Sequence, residues 1–431
     1  MPTWQVPSDR EAEMNRNRNR SRATDVIVWG ATGFTGELVA EYLVARLQDT
    51  GLRLALGGRN RSKLEQLRRR MADSWPEAAE LPLVVADSRD RAALEGIAAD
   101  TEVVCTTVGP YAKYGHEMVA ACAEQGTDYC DLTGEVQFIH AMIERHHERA
   151  RLTGARIVHC CGFDSIPSDL GTLMLHHAMT KRPARLDEVK LVVGASRGGL
   201  SGGTVASLLN VVVEAARDRS VRRIVGDPYA LNPDGERHGP DGPDLQRPRF
   251  DPALGRWTGP FVMAAINTRV VRRSNALLGW PYGRDFRYSE VTGFGPGPKG
   301  RVQATMMAGG LGAFVAALSW APTLTLLEKV ALPSPGEGPS PETRDAGFFK
   351  LKLYARGTTS AGDTVRLTGR VEGHSDPGYG ETAKMLGESA LCLALDGAEL
   401  NSPGGVLTPA SAMGRTLLER LRAAGMVFEV E

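Results

Sequence analysis

Three glycines, Gly30, Gly33 and Gly36, carry the clearest chemical signal in this chain of 431 residues. An apolar run at 26–28 precedes them, and an amphipathic run begins at Leu38. A strand, a tight glycine turn and a helix N-terminus together bind a pyrophosphate, because backbone N–H groups and the helix dipole face the anion. We therefore predict a dinucleotide site, rather than a purely structural turn, that consists of Gly30, Thr32, Gly33, Phe34, Thr35 and Gly36.

The residue after the second predicted strand indicates which dinucleotide binds. Arg59 stands where NAD sites normally place an acid for the ribose 2′-hydroxyl, and a guanidinium matches a 2′-phosphate bidentately. Arg61, Ser62 and Lys63 follow it, and Ser62 is included in the site. The sequence therefore predicts NADP(H) as the cofactor, with a solvated basic helix start as the alternative. Asp87, at the end of the third predicted strand, is expected near the adenine or as a helix N-cap.

A turn after the fourth predicted strand is expected at the nicotinamide half of the cofactor. It consists of Val108, Gly109 and Pro110, at the carboxyl end of the sheet, where open α/β sheets bind ligands. Proton donors follow directly, and we choose Tyr111 and His116 as catalytic candidates. For Tyr111 the alternative is an aromatic wall that packs on the nicotinamide.

The other polar residues add one candidate and predict no metal site. Asp164 follows the sixth predicted strand, where it is expected to contribute to the same cleft or to cap the next helix. His146 and His147 are adjacent on a charged helix, so their side chains point to different faces. The six cysteines include no C-x-x-C pair, which favours reduced core thiols over zinc.

The elements that must position these residues alternate between strands and helices from Asp25 onward. Amphipathic helices separate six predicted strands, at 26–30, 52–57, 83–87, 103–107, 129–132 and 156–160. This alternation is typical of an α/β domain, with a parallel sheet and crossover helices. We predict a doubly wound, Rossmann-type domain.

The rest of the chain predicts a second, α+β domain with a mixed sheet and helices. Its predicted elements are strands at 189–195 and 262–271, a helix at 204–216, a Pro- and Gly-rich loop at 227–257, and a hairpin at 348–354 and 364–372. The predicted division is a disordered arm at 1–24, an NADP-binding domain at 25–165, a substrate and dimerisation domain at 166–376, and C-terminal helices at 377–431 that return to the first domain.

Composition and hydropathy exclude some partners. The chain has 51 Lys and Arg against 51 Asp and Glu, so no global charge attracts it to nucleic acid. The polar N-terminus lacks the apolar region of a signal peptide. The run from Ala304 to Leu327 is uncharged but is interrupted by glycines and Pro322, so a buried or membrane-touching helix is expected rather than a span. We predict a cytoplasmic protein whose peripheral contact with lipid, where it exists, uses this run.

Several motifs together resemble the saccharopine dehydrogenase-like oxidoreductases. They are Gly-Ala-Thr-Gly-Phe-Thr-Gly at 30–36, Gly-Gly-Arg at 57–59, Val-Gly-Pro-Tyr at 108–111, Tyr-Cys-Asp-Leu-Thr-Gly-Glu at 129–135 and Gly-Phe-Asp-Ser-Ile-Pro-Ser-Asp at 162–169. The set is most similar to the actinobacterial branch that contains the trans-acting enoyl reductases of lipid and polyketide assembly. The resemblance covers 25–171 well and resumes at 377–382 and 404–410.

The resemblance implies an NADPH-dependent oxidoreductase that reduces an enoyl group of a carrier-bound, lipid- or polyketide-type substrate by hydride transfer. Two alternatives stay open. One is an imine-reducing enzyme like saccharopine dehydrogenases proper, whose dicarboxylate substrate would need arginines from the set Arg269, Arg272, Arg273, Arg284 and Arg287. The other is a non-catalytic, lipid-associated NADP-binding protein. Extended short-chain dehydrogenases are excluded, because none of the nine tyrosines is followed by lysine four residues on.

Overall fold

The computed structural model describes residues 22–198, 202–318, 338–400 and 402–431. The chain divides into two compact units. The first comprises Met1–Leu132, Met142–Cys161 and Ala383–Arg420, and the second comprises Thr133–Ala141, Gly162–Thr382 and Leu421–Glu431. The arm predicted at 1–24 lies outside the described residues as far as residue 21.

A parallel sheet of seven strands forms the centre of the first unit. Its strands are β1 (Thr24–Trp29), β2 (Leu54–Gly58), β3 (Leu83–Val85), β4 (Thr101–Thr106), β5 (Asp128–Asp131), β6 (Arg156–Val158) and, from the tail of the chain, β13 (Gly405–Leu407). Their order is β13-β6-β5-β4-β1-β2-β3, and every neighbouring pair is parallel. The order 3-2-1-4-5-6 is that of a Rossmann sheet, so the predicted fold class is confirmed. The sequence predicted six of these strands and missed β13.

The second unit contains a mixed sheet, also of seven strands. They are β7 (Ala184–Arg197), β8 (Arg249–Asp251), β9 (Arg256–Gly259), β10 (Arg287–Gly293), β11 (Phe348–Thr359), β12 (Thr364–Gly373) and β14 (Val427–Val430). The order is β14-β12-β11-β7-β10-β9-β8, in which only β7 and β10 are parallel neighbours. The predicted hairpin of β11 and β12 is confirmed. The loop predicted at 227–257 is wrong in part, because it contains β8 and the start of β9.

Helices connect these strands. In chain order they are α1 (Phe34–Val44), α2 (Leu47–Thr50), α3 (Arg61–Ala72), α4 (Arg91–Asp100), α5 (Tyr111–Tyr114), α6 (His116–Gln125), α7 (Val136–Thr153), α8 (Ile166–Thr180), α9 (Gly202–Arg217), α10 (Arg219–Gly226), α11 (Ala264–Leu277), α12 (Pro298–Leu318), α13 (Pro341–Asp345), α14 (Gly380–Leu395), α15 (Pro409–Ala412) and α16 (Gly414–Ala423). A short 3-10 helix, Pro76–Glu80, precedes β3.

The local sequence explains the elements around the glycine turn. The central strand β1 contains a continuous apolar run at 26–29 that ends in the fully buried Trp29, as a strand covered on both faces requires. In α3, Leu64, Leu67 and Met71 recur at helical spacing and are buried, whereas the charged residues between them lie outside. Asn60 caps this helix by accepting a hydrogen bond from the Lys63 amide (3.0 Å).

The strand predicted at 262–271 is wrong, because this segment forms helix α11. The β-branched residues Ile266, Val270 and Val271 suggested a strand, but they are buried at helical spacing. Arg269 and Arg272 are buried on the same helix, each paired with an aspartate of the preceding loop. Because charged as well as apolar residues of this helix are buried, its sequence has no clear amphipathic pattern, and periodicity did not identify the helix.

The uncharged run from Ala304 to Leu327, for which a helix is predicted, begins inside α12. Its remaining residues, from 319 on, lie outside the described residues. Across the ranges that the structure describes, no helix combines the length and the hydropathy needed to cross a bilayer.

Candidate nucleotide site

The turn after β1 is anchored between the carboxyl ends of two neighbouring strands. The Gly30 amide donates to the Gly57 carbonyl of β2 (2.9 Å), and the Thr107 amide after β4 donates to the Trp29 carbonyl (3.0 Å). Gly30 has φ of 90°, which favours glycine, and a Cβ atom there would lie 2.6 Å from Cγ2 of Val108. Only glycine therefore lets these two loops meet at the point where the strand order reverses.

Helix α1 begins directly on this turn. Gly33 is its N-cap residue, is exposed and makes no side-chain cap. A Cβ atom on Gly36 would collide with the Gly30 carbonyl, so this glycine brings the first helical turn against the strand end. Thr32, Phe34 and Thr35 lie in the same partly exposed segment. The first amides of a helix have no intrahelical acceptor, and a diphosphate is an anion of the kind that such amides bind.

Arg59 is exposed at the carboxyl end of β2. It makes no hydrogen bond or ion pair with any residue that the structure describes. By contrast, Arg61 is paired with Glu65 (3.1 Å) on the same helix, and Ser62 is exposed on its first turn. Arg59 is thus a cation without a protein partner, at the strand end where a Rossmann domain binds the adenosine ribose. The residues present fit a 2′-phosphorylated dinucleotide.

Asp87 is exposed after β3 and accepts a hydrogen bond from the Arg89 amide (2.9 Å). The alternative reading of Asp87 as a helix N-cap is wrong. The cap of α4 is Asp90, whose carboxylate accepts from the Ala93 amide (3.1 Å). A contact between Asp87 and the adenine stays a prediction.

Val108, Gly109 and Pro110 form a short loop at the end of β4. The Val108 amide donates to the Thr106 hydroxyl (3.2 Å), and the Gly109–Pro110 peptide bond is cis. Because the side chain of Val108 lies against the Gly30 position, this loop and the glycine turn are immediate neighbours. The structure thus brings the two predicted halves of the nucleotide site together within the first unit.

The hydroxyl group of Tyr111 links the ends of two strands. It donates to the Thr106 carbonyl of β4 (3.1 Å) and accepts from the Leu132 amide after β5 (3.3 Å). Only 4% of the side chain is exposed. In this structure Tyr111 is therefore a positioning residue for the loop around Pro110, and its role as proton donor stays a prediction.

The other two catalytic candidates lie in different units. His116 opens α6 in the first unit, with Nε2 3.1 Å from the Ala112 carbonyl oxygen. Asp164 lies in the second unit, in the turn that precedes α8. The N-cap of that helix is Ser165, so the alternative role of Asp164 as its cap is wrong. Catalytic roles for His116 and Asp164 stay predictions.

A buried polar cluster that the sequence analysis missed lies at the ends of β5 and β6. The Asp131 carboxylate accepts hydrogen bonds from the Tyr129 hydroxyl (2.9 Å) and the Cys160 amide (3.2 Å), and it lies 2.7 Å from Nδ1 of His159. Desolvation, followed by the nearby Asp131 charge, raises the pKa of Tyr129 well above its ordinary value. Tyr129 and Asp131 are two residues apart on one strand, and this spacing was the available signal.

The second unit buries a carboxyl group among hydrogen-bond donors. Glu290 on β10 accepts from the Tyr288 hydroxyl (2.7 Å) and from the Asn267 amide group of α11 (3.0 Å). The oxygen of Asn267 in turn accepts from the Ser165 hydroxyl (3.0 Å). Desolvation raises the pKa of Glu290 to about 7, because burial disfavours the charged form more than these donors stabilise it.

Replacing Glu290 by glutamine should flatten the dependence of stability on pH. The folded-state pKa is raised, so between its ordinary value and about 7 the folded protein keeps a proton that the unfolded chain has lost. The wild type should therefore lose on the order of 1–3 kcal/mol of unfolding free energy between pH 5 and pH 8 relative to the variant. Denaturant titrations at both pH values measure this, with Glu148→Gln on the surface as control. Parallel curves for the wild type and Glu290→Gln would contradict the prediction.

Comparisons with known proteins identify the family of this chain. Residues 26–158 match the family described as the saccharopine dehydrogenase NADP binding domain. A trans-acting enoyl reductase of Mycobacterium leprae is 41% identical over 419 residues, which cover 94% of this chain and 97% of that protein. A Mycobacterium tuberculosis relative that bears this name provisionally is 45% identical over 418 residues, or 95% of this chain and 97% of its own length. Apo saccharopine dehydrogenase (L-Glu forming) of Saccharomyces cerevisiae is 13% identical, with a TM-score of 0.49 over 95% of this chain and 99% of that one.

Proposed function

We propose that this chain, which belongs to the trans-acting enoyl reductase branch of the saccharopine dehydrogenase-like oxidoreductases, reduces the C=C bond of a carrier-bound enoyl thioester. It is an NADP-dependent oxidoreductase. The observation that carries the proposal is the 41% identity over 419 residues to a relative named trans-acting enoyl reductase. The choice of NADPH is supported by the glycine turn, where Gly30 and Gly36 leave no room for a Cβ atom, and by the exposed Arg59, which is outside any ion pair with a described residue.

The chain's own residues would bind and orient the cofactor. The amides at the start of α1 would hold the diphosphate, and Arg59 would hold the 2′-phosphate. The loop of Val108, Gly109 and Pro110 would support the nicotinamide ring, positioned by the hydrogen bonds of Tyr111. When bound, NADPH supplies a hydride.

Reduction of a conjugated thioester also needs stabilisation of charge at the thioester oxygen and a proton at Cα. We assign these tasks to the candidates Tyr111, His116 and Asp164. A phenol that already donates to a backbone carbonyl would have to exchange that partner for the substrate oxygen. This requirement makes Tyr111 the most informative residue to change.

Wild-type protein should oxidise NADPH in the presence of a crotonyl thioester and form the saturated product. If Tyr111 is the donor, Tyr111→Phe should lower kcat by about 10²-fold or more and remove the alkaline limb of the pH profile. If it only positions the loop, the variant should instead lose about 1 kcal/mol of stability and keep its pH profile. Tyr114→Phe, on the same short helix, is the control. No turnover of enoyl thioesters across a range of acyl lengths would refute the proposed reaction.

The burial and ion pairs of the candidate arginines argue against the imine-reducing alternative. Arg269 and Arg272 are nearly inaccessible and paired with Asp244 (2.7 Å) and Asp241 (2.8 Å). Arg284 is paired with Glu236 (2.6 Å). Arg273 is fully buried, and burial lowers its pKa to about 9. A dicarboxylate substrate needs two accessible guanidinium groups, and in this set only Arg287 is exposed and outside an ion pair with a described residue.

The exposed side chains of helix α12 favour contact with an apolar substrate or with lipid. Val302 (56%), Met306 (71%) and Met307 (42%) are large apolar side chains that this helix exposes to solvent. Exposed apolar side chains grouped on one helix are typical of a surface that contacts another apolar body. We propose peripheral contact with lipid or with the acyl chain through this helix.

A further inference from the structure

Four arginines crowd the junction between α9 and α10 in the second unit. They are Arg217, Arg219, Arg222 and Arg223, here called the arginine patch. All four are exposed, and none forms an ion pair with a described residue. Many other exposed arginines are neutralised, as in the pairs Arg53 with Asp25 and Arg415 with Glu419. The patch is therefore a local excess of positive charge.

The acidic residue inside the patch does not neutralise it. Asp218 caps α10 by accepting hydrogen bonds from the amide and the hydroxyl group of Ser220 (both 2.7 Å). These bonds, that from the hydroxyl first, lower the pKa of Asp218. Residues 217–223 thus contain four cationic side chains against one carboxylate that the helix N-terminus already uses.

The geometry of α10 presents this charge outward. Arg219, Arg222 and Arg223 are spaced by three and four residues, so they share one face of the helix. Arg222 also donates to the carbonyl of Ala215 (3.0 Å), near the C-terminal end of α9, which fixes the junction. Arg217, Arg219 and Arg223 make no such bond, and their guanidinium groups remain available to a partner.

The other face of α10 packs against the rest of the second unit. Val221, Ile224 and Val225 are half-buried, and the Val225 carbonyl accepts from the buried Arg269 (3.0 Å). A helix that inserts into a membrane surface needs exposed apolar side chains beside its basic face. Because α10 has none, its chemistry fits electrostatic docking on a polar surface rather than insertion into lipid.

The charge of the whole chain also argues for a specific partner. Lysine and arginine equal aspartate and glutamate, 51 each, so the patch is not a by-product of a basic composition. Guanidinium groups recognise carboxylates bidentately. The four positive charges of the patch repel one another in the free protein, and an acidic surface that covers them would reduce this repulsion. We propose that the arginine patch docks an acidic carrier protein that delivers the enoyl thioester, an inference that rests on the function proposed above.

A charge-reversal variant tests this proposal. Arg217→Glu, Arg219→Glu and Arg223→Glu are combined in the full-length protein. The probe is a fluorescently labelled acyl carrier protein of net negative charge that carries a crotonyl group on its phosphopantetheine arm. Affinity for it, measured by anisotropy at low salt, should fall about tenfold or more, with a reduced salt dependence. NADPH affinity and kcat/KM for free crotonyl-pantetheine should be unchanged.

The matched control reverses three exposed arginines that are already in ion pairs. Arg151→Glu, Arg356→Glu and Arg415→Glu change the net charge by the same amount and should leave carrier affinity within about twofold. Equal carrier binding by the wild type and the patch variant would overturn the proposal, as would equal losses in patch and control variants. Loss of binding to phosphatidylglycerol vesicles with carrier binding intact would assign the patch to lipid instead. If neither thioester is reduced, the proposed function fails, and the binding titration still decides the role of the patch.

Discussion

Arg59→Ala should weaken NADPH binding by about ten- to a hundredfold while NADH binding changes by no more than about twofold. The physical reason is that Arg59 is exposed and forms no hydrogen bond or ion pair with a described residue, so its removal breaks none. Its only loss is the charge-assisted bidentate bond to the 2′-phosphate, which NADH lacks. Calorimetric titration of both reduced dinucleotides measures the difference directly.

Arg61→Ala is the matched control for this prediction. Arg61 is two residues further along the chain, is also exposed, and is paired with Glu65 on α3. General loss of positive charge would weaken NADPH binding equally in both variants, whereas specific recognition would affect Arg59→Ala far more. A wild-type protein that binds NADH as tightly as NADPH would contradict the role assigned to Arg59.

Gly36→Ala should abolish measurable dinucleotide binding and lower stability by about 2 kcal/mol or more. The added methyl group would collide with the Gly30 carbonyl and lie 2.8 Å from the hydroxyl oxygen of Thr107. Both neighbours are fixed at the ends of the central strands, so the start of α1 would have to move away. Its amides would then no longer converge on the diphosphate. Thermal unfolding and NADPH titration measure the two effects.

Substitutions at two further glycines distinguish a loss of dinucleotide binding from a loss of stability. Gly33→Ala should fold with a cost of about 1 kcal/mol or less, because its φ is ordinary and its Cβ would make only a 3.4 Å contact. It should still weaken NADPH binding, since the methyl group would stand where the phosphate approaches. Gly96→Ala, in the middle of α4 with open space around it, should stabilise the protein by about 0.5–1 kcal/mol and leave binding unchanged. Full NADPH affinity in Gly33→Ala would contradict a diphosphate site at this turn.

Local sequence was sufficient for strands β1 to β6 of the first sheet. A buried parallel strand is an unbroken apolar run, as in residues 26–29, and each crossover helix has its own amphipathic period. These signals are complete within one segment, so the six strands from Thr24 to Val158 could be predicted to within about two residues of their ends, whereas the short helices α2 and α5 were missed. The steric need for glycine at positions 30 and 36 could likewise be predicted, because a turn and a close approach require particular residue types at fixed spacing, whereas the role of Arg59 at the ribose stays a prediction.

Features that depend on partners far along the chain could not be predicted. The spacing of residues 264–277 does not show that Asp241 and Asp244 neutralise the arginines of α11, so a buried helix was interpreted as a strand. Strand β13 joins the first sheet beside β6 from the tail of the chain, and its three residues are too short for periodicity to identify.

Residue types alone therefore determined the class of fold, the glycine turn after β1 and the exposed cation that follows β2, because each follows from backbone geometry within a few residues. Tertiary structure alone decided which polar side chains form hydrogen bonds or ion pairs within the protein. It joins the Tyr111 hydroxyl to two backbone groups, buries the Asp131 carboxylate beside His159, and leaves Arg59 and the arginine patch without ion pairs among the described residues. The physical reason is that pairing and burial depend on the positions of atoms distant in sequence, which no local pattern encodes.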